Sequence, residues 1–210
     1  AATLVPDGAG FLWGVTTGGG DISGYGTVFK VEMATGTATT VLEFSNNGTN
    51  NKGANPVGPL VNDGAGNLWG VTRVGAASGE GSIFKIASST GVLTTVLQFG
   101  NLTGVNASVS TPFSGLTNDG QGNLWGYSSA GGAAATWAVF KIKMSDGSFT
   151  KVAEHAPGGV SYHGRTPLAG LSGNDTSPWL WGTTSVGGTS NLGTLYRYDP
   201  STGQHQTVIH

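Results

Sequence analysis

The sequence contains no cysteine, which removes disulfides, thiol catalysis and cysteine-based zinc sites together. Charge is scarce as well. Asp, Glu, Lys and Arg make up 10% of the 210 residues, against roughly 25% in an ordinary soluble domain. The 9 basic and 11 acidic residues leave a net charge of −2 and form no basic stripe. Nucleic acid is therefore not an expected partner, since following a phosphate backbone needs clustered Lys and Arg. No apolar run approaches the roughly 20 residues that cross a bilayer as a helix, so no membrane insertion is expected. The opening residues Ala-Ala-Thr-Leu have neither the basic nor the apolar part of a leader peptide. In place of these features the chain carries 38 glycines, beside 37% hydrophobic and 9% aromatic residues. That apolar content is too high for a disordered chain.

A repeat organises what is present. Trp13, Trp69, Trp125 and Trp181 recur every 56 residues, as do Asp7, Asp63, Asp119 and Asp175. Phe29, Phe84, Phe140 and Tyr196 follow at 55, 56 and 56. Each copy holds four short apolar runs separated by turn residues. In the second copy these are Pro59–Asn62, Asn67–Thr72, Ser82–Ala87 and Leu93–Phe99. Runs of this length, rich in Val, Leu, Phe, Trp and Thr and bounded by Gly, Asp and Ser, read as strands. Asp-Gly-Ala-Gly and Ser-Thr-Gly read as tight turns in which Asp bonds its own backbone. No stretch shows sustained helical periodicity. The expectation is an all-β, four-bladed β-propeller with four antiparallel strands per blade and essentially no helix. It fills residues 1–210 as one domain, with blades near 1–55, 56–111, 112–166 and 167–210, and a lone blade cannot bury both its faces.

The pattern LWGVT, TGGG, GTVFK, TGTATTVLEF resembles the bacterial GloVer tandem repeat, and D-G-x-G-N-L-W-G is similar to the blade repeat of propeller sensor domains. The resemblance covers all four copies and implies the propeller architecture. It implies no particular activity, because the GloVer family has no common one to carry over.

Antiparallel order puts the first-to-second and third-to-fourth turns at one edge of each sheet, and these are tight. The second-to-third loops and the connectors between copies lie at the other edge and are long, as in Thr17–Tyr25, Ser45–Pro56, Ala130–Thr136 and Pro157–Pro167. Loops on a rigid scaffold usually carry binding residues, so a site is expected there. Departures between copies mark candidates. Tyr127 stands where the other copies have Val or Thr, and Trp137 where they have a small, acidic or Leu residue. Arg73 replaces Thr or Ser, and His155 takes the place of Phe44 and Phe99. Trp137, Tyr127, Arg73 and Tyr25 are the expected ligand-binding residues. Tyr162, His163 and Arg165, with His155 and Tyr127, offer a proton donor, a base and a carboxylate fork if the protein is an enzyme. Nucleophile-elbow, P-loop and zinc-protease motifs are absent, and neither a metal nor a cofactor is expected.

Four N-x-S/T triplets, beginning at Asn47, Asn101, Asn106 and Asn174, together with the low charge, lead us to expect a secreted, extracellular protein. The expected role is a non-catalytic binding module for carbohydrate or another small-molecule ligand, acting as a monomer. Aromatic rings would stack on sugar faces while neutral Asn, Thr and Gly groups meet the hydroxyls. The alternative is a propeller lyase or isomerase, such as a polysaccharide lyase, working through the Tyr162/His163/Arg165 loop. A purely structural or protein-interaction ring is a third reading.

Overall fold

The computed structural model describes residues 3–20, 24–46, 53–107, 109–130, 137–155, 165–167, 169–173 and 179–210. Their architecture is all-β, with one short 3-10 turn at Gly104–Asn106 and no α-helix among the described residues. The first sheet runs in the order β1 (Val5–Pro6), β2 (Phe11–Thr16), β3 (Thr27–Glu32), β4 (Ala38–Glu43). The second contains β5 (Ala54–Asn62), β6 (Asn67–Val74), β7 (Ser82–Ala87) and β8 (Leu93–Gln98). In the third, β9 (Ser110–Pro112) pairs with β11 beside the path β10 (Thr117–Asn118), β11 (Asn123–Ala130), β12 (Trp137–Lys143), β13 (Phe149–His155). The fourth is β14 (Arg165–Pro167), β15 (Leu180–Val186), β16 (Thr194–Tyr198), β17 (His205–Ile209). One sheet thus corresponds to one sequence copy. β5 begins at Ala54 and β14 at Arg165, slightly ahead of the copy boundaries at 56 and 167.

The same local chemistry builds each sheet. In the turn before the second strand, Asp63 Oδ1 accepts the backbone N–H groups of Ala65 (2.8 Å) and Asn67 (3.0 Å). Its Oδ2 accepts the Trp69 indole N–H at 3.0 Å. Asp7 repeats this with Ala9, Phe11 and Trp13, and Asp119 with Gln121, Asn123 and Trp125. The aspartate is therefore a turn residue that also fixes the tryptophan of the next strand. Asp175 lies outside the described residues. Across the second and third strands, Trp13, Trp69, Trp125 and Trp181 pair with Lys30, Lys85, Lys141 and Arg197. Each cation lies 5.3 to 5.6 Å from the centre of its partner ring.

The glycine after Trp13, Trp69 and Trp181 leaves room for the aromatic of the third strand. A Cβ on Gly70 would stand 2.5 Å from Phe84 Cζ and 2.8 Å from Leu60 Cδ2. Pairing between the third and fourth strands slips by one residue at the same place in all four sheets. Val28 faces Leu42 while Phe29 faces Thr40, which leaves Val41 as a bulge. Val96, Val152 and Val208 occupy the same position in the other three sheets.

The chain divides into two compact units, Ala1–Asn101 with Thr111–Leu116, and Leu102–Ser110 with Thr117–His210. In the first, Trp13, Val28 and Phe44 pack with Leu60, Leu68, Phe84 and Ile86 of the second sheet. The Phe44 and Phe84 rings lie 5.4 Å apart. In the second unit, Trp125, Tyr127 and Val139 pack with Leu171, Leu180, Tyr196 and Tyr198. Each such side chain contributes about 1.5–3 kcal/mol by leaving water.

Candidate functional site

The long-loop edge of three of the four sheets is held by a small polar device. A threonine at or within two residues of the end of the second strand shares a hydrogen bond with the first residue of the third. Thr16 and Thr27, Thr72 and Ser82, and Thr184 and Thr194 each bring their hydroxyl oxygens to 2.9 Å. The threonine hydroxyl also accepts its partner's backbone N–H. Before each partner comes a glycine, Gly26, Gly81 or Gly193, with φ of +96°, +90° and +104°. A Cβ there would overlap the carbonyl oxygen of the facing threonine.

The third sheet breaks this device. Ser128 faces Ala138 in the β11–β12 ladder, so Trp137 occupies the position of Gly26, Gly81 and Gly193. This corrects the sequence alignment, which set Trp137 opposite small, acidic or Leu residues. Ala138 has no hydroxyl, and the buried Ser128 Oγ has no hydrogen-bond partner. A buried hydroxyl left unsatisfied costs about 1–3 kcal/mol. Ala138→Ser restores the partner used by the other three sheets. It is expected to raise stability by about 1 kcal/mol and the midpoint of thermal unfolding by roughly 2–4 °C. Calorimetry of the variant checks this; an unchanged midpoint would mean that Ser128 is satisfied in another way.

Among the expected ligand residues, Trp137 is half-buried at the start of β12 and faces His155 at the end of β13. Arg73 is exposed in β6, and no ion pair joins it to Glu80. Tyr25 is half-buried and packs against the core of the first unit.

Tyr127 requires a correction. Its side chain is fully buried, so it presents nothing to a ligand. Its hydroxyl hydrogen-bonds that of Tyr196. Burial pushes the Tyr127 phenol well above its ordinary range and the neighbouring Tyr196 pushes the same way, so the group stays protonated. Tyr127 is a core residue that joins the third and fourth sheets. Arg165 opens β14 opposite Val186. Tyr162 and His163 lie outside the described residues. Among the described residues no cluster of three or more His, Asp or Glu could hold a metal.

The turn carboxylates are tuned by the hydrogen bonds described above. Partial burial pushes Asp63 upward, but the Trp69 indole, the Asn67 amide and two backbone N–H groups outweigh it and hold the carboxyl below its usual value. Asp7 is lowered in the same way. These groups are bound to their own scaffold.

The copy-to-copy match of strands, turns and bulges sets the context for family comparison. The pattern of the Gloeobacter/Verrucomicrobia repeat matches residues 1–171. The chain belongs to that family. No curated protein matches it by sequence. In three dimensions this Gloeobacter/Verrucomicrobia repeat protein resembles solved propeller-like structures. One is the crystal structure of a nidogen/laminin complex, with TM-score 0.61 and 11% identity over 96% of this chain and 61% of that one. TolB from Acinetobacter baumannii gives 0.57 and 11%, over 97% of this chain and 41% of that one. An oligogalacturonate lyase in complex with manganese gives 0.56 and 10%, over 95% and 50%. The repeat protein thus spans between about two fifths and three fifths of the length of these neighbours. At such identities the likeness is one of fold alone.

Proposed function

We propose that the protein is a secreted, non-catalytic module that binds carbohydrate through Trp137 at the long-loop edge of the third sheet. The observation that carries this reading is the replacement, in one copy of four, of a sterically required glycine by a half-buried indole. A scaffold role does not call for that change, since three copies close the same corner with glycine and a hydroxyl pair. An indole offers an apolar face for the C–H face of a sugar ring, and the low charge of the chain as a whole suits a neutral ligand. One such position in four supports a single site in place of four equivalent ones.

The four sheets serve, in this reading, as the blades of a four-bladed propeller. Leu4 is 40% exposed, whereas its counterparts Leu60, Leu116 and Leu171 are at most 5% exposed. Trp181 is half-buried where its three counterparts are buried. Within the first unit, Leu60 of the second sheet joins the core around Trp13 of the first, the face-to-face packing that neighbouring blades require.

Binding of the purified protein to a panel of neutral and acidic polysaccharides tests the proposal. A ligand bound by the native protein should bind about tenfold more weakly to Trp137→Ala, and Trp137→Phe should recover part of the loss. Silence across the panel sinks the proposal. Cleavage of a bound polysaccharide would favour the lyase alternative and its Tyr162, His163 and Arg165.

A further inference from the structure

The four sheets share one cross-strand row, and the fourth copy rewrites it. In the first three sheets the lysine that faces the tryptophan is paired on its other side with a threonine: Lys30 with Thr39, Lys85 with Thr94 and Lys141 with Thr150. In the fourth sheet the row reads Trp181, Arg197, Gln206. A third departure lies beside it. Trp179, directly before β15, occupies the place of Asn67 and Asn123, whose side-chain amides donate to Asp63 and Asp119. The first sheet goes part of the way, with Phe11 under Lys30 at 4.4 Å, but it keeps the lysine and the threonine.

The three changes in the fourth copy converge on one guanidinium. Arg197 Cζ lies 3.9 Å from the centre of the Trp179 ring and 5.5 Å from that of Trp181. Arg197 Nε and Nη2 both donate to Gln206 Oε1, at 2.9 and 2.6 Å. Stacking and the forked hydrogen bond fix the plane of the group, so little freedom is left to lose on binding. One edge of the fork is used in this way. The other, made by Nη1 and the second N–H of Nη2, keeps its donors, and among the described residues no carboxylate pairs with Arg197. Asp199, on the same face, is turned into its own turn, where Oδ1 accepts the Ser201 N–H at 2.8 Å and the Ser201 hydroxyl at 2.6 Å. The scaffold does not call for the arginine, since lysine keeps the same distance to its tryptophan in three copies. Nor does the exposure of Arg197 depend on its place in the chain. Lys30 is half-buried in the same way, although the second sheet packs on the first.

The geometry points to a binding site on the fourth sheet for the carboxylate of a uronic acid unit in an acidic polysaccharide, held by Arg197. The two parallel N–H groups of the open edge match the two carboxylate oxygens. Gln206 Nε2 brings two further donors beside the guanidinium. A uronic acid places hydroxyl oxygens next to its carboxylate to meet them, whereas an Asp or Glu side chain has none. Trp179 and Gln206 are positioning residues that hold the fork flat. The site lies in a different sheet from Trp137 and stands whether or not that residue binds a neutral sugar.

The test is an NMR titration of the whole labelled chain, at fixed ionic strength, with a trimer of galacturonic acid. Saturable shifts are expected at the Arg197 Nε–H, the Trp179 indole N–H and the Gln206 amide, and a neutral trimer of galactose should produce none of them. Arg197→Lys installs the cation that the other three sheets carry, so folding is not at stake. It keeps the charge, loses the fork, and should weaken binding about tenfold. Trp137→Ala should bind the acidic trimer as the native chain does. Absence of saturable shifts at millimolar trimer overturns the inference, as does equal binding by Arg197→Lys or loss of binding in Trp137→Ala. Equal shifts from the galactose trimer, or tighter binding of triglutamate, overturn it too, the first by removing carboxylate recognition and the second by assigning the surface to a protein partner.

Discussion

Asp119→Ala is expected to lower the midpoint of thermal unfolding by roughly 10 °C. The carboxylate is 3% exposed and accepts four hydrogen bonds. Gln121 N–H and Asn123 N–H reach Oδ1 at 2.8 and 3.0 Å; Asn123 Nδ2 and Trp125 Nε1 reach Oδ2 at 2.8 and 2.9 Å. Hydrogen bonds to an ionised group each contribute about 1.5–3 kcal/mol and do not add fully. Alanine removes all four acceptor contacts and leaves the buried Trp125 indole N–H unpaired, a combined cost of about 3–4 kcal/mol. Asp7→Ala should cost less, because its turn is more exposed. Equal losses at both positions, measured by calorimetry, would show that burial of the carboxylate does not set the magnitude.

The second large effect is expected from a single methyl group. Gly81→Ala places a Cβ inside the contact distance of the Thr72 carbonyl oxygen and within 2.9 Å of the Arg73 carbonyl oxygen, at a residue with φ of +90°. Both obstacles are backbone atoms of the adjacent strand, so no side-chain rotation relieves them. The chain must move β6 away from β7 or abandon the Thr72–Ser82 hydroxyl pair. A loss of about 3 kcal/mol or more is expected, at the upper end for overpacking because strain and a broken hydrogen bond act together. Urea denaturation checks it. A loss below about 1 kcal/mol would show that the corner yields easily. In that case Trp137 in the third sheet would need no special explanation.

The architecture was legible because every copy must solve the same problems. A tryptophan to fill the space between sheets, an aspartate to close the turn before it and a glycine to clear the crossing aromatic recur at fixed spacing, and each recurrence reinforces the others. The Ser82–Ala87 run emerged as β7 with the bounds read from sequence. Individual site residues were less legible. Tyr127 looked like a ligand residue because it departs from its copies, yet its partner is Tyr196, 69 positions away and itself a departure from Phe. Two departures that compensate across a sheet interface are a packing signal, and reading them as a pair would have found the core. Trp137 lies three residues before Phe140, which matches Phe29, Phe84 and Tyr196, so the repeat spacing itself sets it against Gly26, Gly81 and Gly193. The ladder from Ser128 to Ala138 gives the same register.

The valine bulges bear on how a chain with so little charge guards its sheet edges. β4, β8, β13 and β17 are the terminal strands in the order of their sheets, and a straight terminal strand invites another chain to add on and begin aggregation. Lysine and glutamate are the usual deterrents, and this sequence has few to spend. A bulge at Val41, Val96, Val152 and Val208 twists each strand and interrupts its row of hydrogen-bonding groups, so an incoming strand cannot stay in register. Protection of these edges against strand addition is written into backbone geometry, once per repeat.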